Sequence, residues 1–241
     1  GLESLAPDRT LFMLHRDCED RRAELWRWLA YQFTHVSVFH MATNAVTLIV
    51  AGLPLEGFHG HWRIAAVFNL GVLGGAAFHG AVLAHSHSIA GMSAGCYALL
   101  AMHWGDLILN WRQSRFRRGK LAVLILLVAV DAASTAALPV GHHVDEGVSA
   151  SHAGHVGGFV AGLLASILLV KNLRVKRIER AVQALTVLAL VILGAVCGAW
   201  LAQWPPRSIL DAVPWCWVRQ ASNATTFGDR EWHCVRCGDE A

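Results

Sequence analysis

Six apolar runs settle what class of fold this chain can adopt. They cover about 36–53, 62–84, 89–111, 121–140, 148–170 and 181–204, each near the ~20 residues that cross a bilayer as a helix. In hydrocarbon a backbone must satisfy its own polar groups, and a helix does so within one segment. The expected fold is therefore all-α, one polytopic membrane helical bundle with six predicted transmembrane helices over 36–204. It is flanked by an external segment, 1–35, and an external tail, 205–241, that contains cysteines. Charged residues are 15% of the 241, against about 25% in soluble domains. The net charge of +3 is no nucleic-acid signal, because the basic residues sit where membrane topology wants them.

Arg112, Arg115, Arg117, Arg118 and Lys120 fill one short loop, and Lys171, Arg174, Lys176, Arg177 and Arg180 fill another. Two crossings separate the loops, so both face one side, the cytosol by the positive-inside rule. The N-terminal segment, the Leu138–Gly147 loop and the tail then face the lumen or cell exterior. Two further signals agree. Asn223-Ala224-Thr225 is a glycosylation acceptor usable only in the lumen. Cys18, Cys216, Cys234 and Cys237 fall on that oxidising side, where a disulfide from the Cys234–Cys237 pair to Cys216 or Cys18 is expected over half a zinc site with His233. No cleavable signal peptide is recognisable, and the start at Gly1 suggests a fragment.

Two polar residues on different runs carry the chemistry. Ser93 lies in Gly91-Met92-Ser93-Ala94-Gly95, at the start of the third run. His155 lies beside Gly154, Gly158 and Gly162, a stripe of small residues that lets helices approach closely. Both runs start externally and run inward, so their helices are parallel. With Ala94 and Ala98 facing the glycine stripe, Ser93 stands one residue before its interface position and His155 one after. One step is about 100° on a helix, and the two steps land on the same side. A serine and a histidine so placed suggest a nucleophile and its general base. A serine in a membrane helix also bonds its own backbone or packs in a small-residue contact, and a histidine also lines a polar cavity, so both readings stand here.

Asp106 lies 13 residues beyond Ser93, roughly 20 Å along a helix, too far to orient His155. Asp131 reads as structural. A Ser–His dyad is thus the simpler arrangement. His40 and Asn44 share a helix face and can both donate hydrogen bonds to an oxyanion, or simply pack against each other. The other histidines, at 79, 85, 87, 142, 143 and 152, do not fall into a first set of metal ligands, and neither a metal nor a cofactor is expected. Pro54 with Gly52 is expected to end the first run, Pro139 the fourth and Pro205-Pro206 the sixth.

Together these residues resemble the rhomboid family of intramembrane serine proteases, in its animal secretory-pathway branch, over about Trp26 to Asn172. Trp26-Arg27 resembles the family's loop motif. His40-x-x-x-Asn44 resembles its oxyanion pair. Gly52-Leu53-Pro54-Leu55-Glu56 with His59-Gly60 and Arg63 looks like that branch's stretch between two helices. Gly91-x-Ser93, followed by Tyr97-Ala98-Leu99-Leu100, aligns with the nucleophile motif, and His155 with Gly158 and Gly162 aligns with the general base. The resemblance implies a serine endopeptidase that cleaves single-pass transmembrane proteins in or near the lipid bilayer. Ser93 and His155 would be catalytic, with His40 and Asn44 at the oxyanion. It also implies a multi-pass protein of the Golgi or plasma membrane. A non-catalytic relative that binds transmembrane clients for trafficking or degradation is the alternative, and a His-rich metal transporter a third.

Two departures carry expectations. The family's first core helix precedes the Trp-Arg loop, and this chain is expected to lack it. The family also has glycine after the serine, where this chain has Ala94. An extra methyl at the closest helix contact is expected to hold Ser93 and His155 apart and slow the reaction.

Overall fold

The computed structural model describes Phe12 and residues 24–35, 37–82, 88–137, 148–149, 151–171, 177–203, 215–221 and 230–236. Among them are seven α-helices: α1 (Arg27–Ala30), α2 (Val38–His59), α3 (His61–Val82), α4 (Ser93–Leu109), α5 (Arg117–Ala137), α6 (His152–Leu169) and α7 (Arg177–Leu201). Helices α2 to α7 fall on the six apolar runs. Four of them, α2, α3, α6 and the Glu179–Leu201 part of α7, are long and apolar enough to cross a membrane. The described structure thus supports four spans and does not establish the expected six. The fold is mostly helical rather than purely so. A parallel pair joins β1 (Ser88–Ile89) to β2 (Val148–Ser149), and an antiparallel pair joins β3 (Trp215–Ala221) to β4 (Arg230–Arg236) in the tail. In that ribbon Cys216 pairs with Val235 and Cys234 with Trp217, so the two cysteines are not cross-strand partners. Cys18, Cys237 and Asn223 lie outside the described residues, as do His85, His87, His142, His143, Pro139 and Pro205-Pro206.

Helix α2 corrects one expectation. It runs through Pro54 and stops at Gly60, whose φ of +89° suits glycine and whose N–H reaches the Glu56 carbonyl at 2.8 Å. Proline removes one N–H from the helix ladder and strains the turn before it. Here a neighbouring helix helps to compensate, with Nε2 of His103 on α4 lying 3.0 Å from the Ala51 carbonyl. Ser37 caps the other end, its hydroxyl accepting the His40 N–H at 3.1 Å.

The packing centre is α3, α4 and α6, which meet through small residues. A Cβ added to Gly158 would lie 2.3 Å from the Ala94 carbonyl oxygen, and one on Gly162 would lie 2.3 Å from Cα of Ala98. Both contacts follow the same four-residue step in the same direction, so α4 and α6 run parallel. The β1–β2 pair, just before each helix, aligns their starts: Ser88 with Val148 and Ile89 with Ser149. Helix α3 brings a second set of glycines. A Cβ on Gly71 would meet the Ala98 methyl at 2.2 Å, one on Gly74 the Ala161 methyl at 2.3 Å, and one on Gly75 the Ala94 methyl at 2.5 Å. Below this level Leu55, Val67, Leu99 and Met102 form the buried apolar core. The outer faces of α2, α5 and α7 expose valine, leucine and isoleucine, as surfaces against lipid do.

At the opposite end of α4 from Ser93, Asp106 gathers polar groups from three segments. Its carboxylate accepts from Lys120 Nζ at 2.7 Å and from Asn110 Nδ2 at 3.0 Å. His59 Nε2 faces it at 3.6 Å, while His59 Nδ1 accepts the Lys171 N–H at 3.1 Å. The side chain of Asp131 lies outside what is described.

Candidate active site

Ser93 is the first residue of α4, so its backbone N–H is among the first-turn donors that no helix carbonyl can take. The turn before it is fixed by Gly91, with φ of +99° and an N–H bonded to the Tyr31 carbonyl at 3.2 Å. Tyr31 is itself fully buried and donates its hydroxyl to the Val72 carbonyl at 2.7 Å. The segment around Tyr31 is thus anchored against α3 and the turn that presents Ser93.

His155 lies one turn into α6. Its Nε2 is 3.0 Å from Oγ of Ser93. That is hydrogen-bond distance, and it places an imidazole nitrogen to take the serine proton. Tyr97, one turn below Ser93 on α4, stacks on the imidazole with ring centroids 4.2 Å apart and planes 12° apart. This fixes the ring's plane and shields it on one face. His152 touches the same ring edge-on at 5.7 Å.

His40 and Asn44 stand against Gly91. A Cβ on Gly91 would lie 2.6 Å from Cε1 of His40 and 3.4 Å from Nδ2 of Asn44. Glycine is therefore required there twice, by its backbone angle and by the space the two side chains take. Asn44 is buried, its Nδ2 has no hydrogen-bond partner among the described residues, and its backbone carbonyl accepts a weak bond from the Cys96 thiol at 3.5 Å. Unpartnered buried donors are costly, and they recur where a site awaits a charged group. The structure thus brings Ser93, His155, His40 and Asn44 to one end of the bundle.

Sequence reasoning overlooked several neighbours. His35, buried beside His40 with centroids 5.4 Å apart, lies outside every apolar run. Burial holds its imidazole below the usual histidine range. Arg27 was visible in the Trp-Arg motif, but its burial and its pairing with Glu24, a carboxylate at i−3, were not read. Tyr97 was visible as part of a motif but without a role. Among the described residues no three His, Cys, Asp or Glu side chains converge as a metal site.

A family model described as Rhomboid domain matches residues 22–172. Rhomboid-related protein 1 of Caenorhabditis elegans is 32% identical over 162 residues, 67% of this chain and 45% of that protein. Rhomboid-like protease 2 of Toxoplasma gondii is 32% identical over 180 residues, 72% of this chain and 59% of that protein. Inactive rhomboid-related protein 2 of Caenorhabditis elegans is 30% identical over 154 residues, 64% of this chain and 43% of that protein. The chain therefore spans less than two thirds of the length of these relatives.

Proposed function

This chain belongs to the rhomboid family, and on that premise we propose that it is an intramembrane serine protease acting through a Ser93–His155 dyad. The observation that carries the reading is the 3.0 Å contact between His155 Nε2 and Ser93 Oγ, at the mouth of a helix bundle. Ser93 Oγ attacks the carbonyl carbon of a peptide bond as its proton passes to His155. The oxyanion is met by the Ser93 N–H, with His40 and Asn44 as further donors. His155 then gives the proton to the leaving amine. A water attacks the acyl-serine with His155 again as base, which restores Ser93. The substrates are single-pass transmembrane proteins, and the chain works as a multi-pass protein of the secretory pathway with its site toward the lumen or exterior.

A fluorophosphonate that reports on activated serines tests the dyad. Wild type should be labelled at Ser93, and Ser93→Ala and His155→Ala should lose both labelling and cleavage of a co-expressed single-pass substrate. Groups that act as one unit each cost nearly everything when removed. Normal cleavage by His155→Ala, or loss in His152→Ala alone, would mean a different base. No labelling and no cleavage by wild type would favour a non-catalytic client-binding role, in keeping with the relative named inactive.

A further inference from the structure

His79 stands outside the proposed catalytic set. It is buried on α3, 2% exposed, with Nδ1 2.6 Å from Oγ of Ser151, which is 6% exposed. Ser151 caps α6. Its hydroxyl accepts the Gly154 N–H at 2.9 Å, and its carbonyl accepts the N–H of His155 itself at 3.0 Å. One residue therefore holds the first turn of α6, the turn that carries His155. The β1–β2 pair ties the approach to that turn to α4, through Ile89 and Ser149. The His79 contact ties the same turn to α3, whose Gly74 and Gly75 pack against α6 and α4 directly below.

We infer that His79 is a positioning residue for the general base, setting through Ser151 the height and rotation of the first turn of α6. This rests on the protease reading above. In a low-dielectric interior a satisfied hydroxyl–imidazole contact is strong, and removing His79 leaves the Ser151 hydroxyl held by the Gly154 N–H alone. Ser151 would then be free to turn, the cap would weaken and the first turn would fray. His155 reaches Ser93 from that turn, and a displacement of about 1 Å can cost ~100-fold in rate. A merely structural contact would lower stability and leave the rate per folded molecule alone. A positioning contact lowers kcat and leaves KM nearly unchanged, because His79 is buried and does not meet the substrate.

The test uses the full chain reconstituted in liposomes. Measured per folded molecule are the rate of Ser93 labelling by a fluorophosphonate and kcat and KM for one single-pass substrate. His79→Leu should slow labelling and lower kcat by roughly 10- to 100-fold with KM little changed. His79→Asn, which can place an amide near the site of Nδ1, should recover most of the loss. Ser151→Ala, which removes the Gly154 cap as well, should be at least as slow as His79→Leu, and the double variant should be no slower than Ser151→Ala, since the His79 contact is already lost there. Wild-type labelling by His79→Leu would overturn the inference. So would folded His79→Asn as slow as His79→Leu, or losses that multiply in the double variant. If His79→Leu does not fold, Ser151→Ala decides: a wild-type rate there overturns the inference equally. Failure of wild type itself to label would instead remove the protease reading, and this inference with it.

Discussion

Gly158 of α6 packs on the backbone of Ala94, not on its methyl group. A Cβ at Gly158 would lie 2.3 Å from the Ala94 carbonyl oxygen and 2.8 Å from its Cα, while the Ala94 methyl points toward Gly75 of α3. This overturns the expectation that alanine after the nucleophile wedges apart the helices carrying Ser93 and His155. The extra methyl is received by a third helix. Ala94→Gly should therefore give no gain in turnover, and should cost about 1 kcal/mol of stability from helix glycine and lost packing. Gly158→Leu should abolish activity and folding together. Cleavage rates at matched protein level, with thermal unfolding, check both. A faster Ala94→Gly enzyme would restore the wedge.

The same packing predicts a swap. Gly71→Ala alone drives a methyl to 2.2 Å from that of Ala98 and should destabilise the bundle severely. Adding Ala98→Gly removes that clash and leaves 3.1 Å to the Ala94 carbonyl, so the double variant should recover much of the loss. Thermal unfolding of the two singles and the double measures the coupling. Additive losses would show that the two methyl positions do not share one space.

Asp106 should matter for stability and not for chemistry. Replacing it with leucine removes the carboxylate that accepts from Lys120 and Asn110, leaves Asn110 Nδ2 its bond to the Lys171 carbonyl, and leaves His59 facing an apolar group. Loss of a charged hydrogen-bonded group of this kind costs about 2 kcal/mol. That corresponds to a fall of roughly 4–8 °C in unfolding temperature for a domain of this size. Fluorophosphonate labelling below that temperature should be unchanged. A lost label in folded Asp106→Leu would tie this end of α4 to the nucleophile.

The pH dependence follows from His35. Burial depresses the folded-state affinity of its imidazole for a proton, while the unfolded chain takes the proton up near pH 6.5. Below that pH the unfolded state binds more protons, so stability declines as pH falls and levels off once the folded protein is protonated too. Unfolding temperature should drop between pH 7 and pH 5, and His35→Asn should flatten the drop. An identical pH slope in the variant would assign it to other groups.

Topology has its own check. Tags near Arg115 and near Asn223 should fall on opposite sides of the membrane, the first cytosolic. Cleavage of the Arg115 tag by protease outside intact cells would reverse the orientation and put the site on the cytosolic side.

The parallel approach of α4 and α6 was legible because its signal is periodic: glycines every fourth residue on one helix and alanines at the same step on the other. That register permitted a bond between His155 and Ser93 without requiring it. The destination of the Ala94 methyl was not legible, although Gly71, Gly74 and Gly75 were plainly a stripe. A stripe says that something comes close, and only three-dimensional packing says what. Pro54 misled for a related reason. Its local rule ends helices in water, but here His103, about fifty positions away, meets one of the carbonyls near the break. The contact between His79 and Ser151 escaped notice because it joins helices far apart in the chain. A hydroxyl four residues before a histidine looks like an ordinary cap.

Three helices that meet through glycine and alanine have almost no rotamers to freeze when they assemble, so the seam around Ser93 forms at little conformational cost. The same property makes it brittle. A seam of long side chains can absorb an added methyl by turning a bond; a seam of backbone against backbone has no bond to turn. Substitutions along α3, α4 and α6 should therefore act as all-or-nothing changes, whereas the lipid-facing surfaces of α2, α5 and α7 should accept wide variation in apolar shape. A deep mutational profile of this chain would show tolerance divided by helix face, with the narrowest band running through Gly71, Gly75, Ala94, Ala98, Gly158 and Gly162.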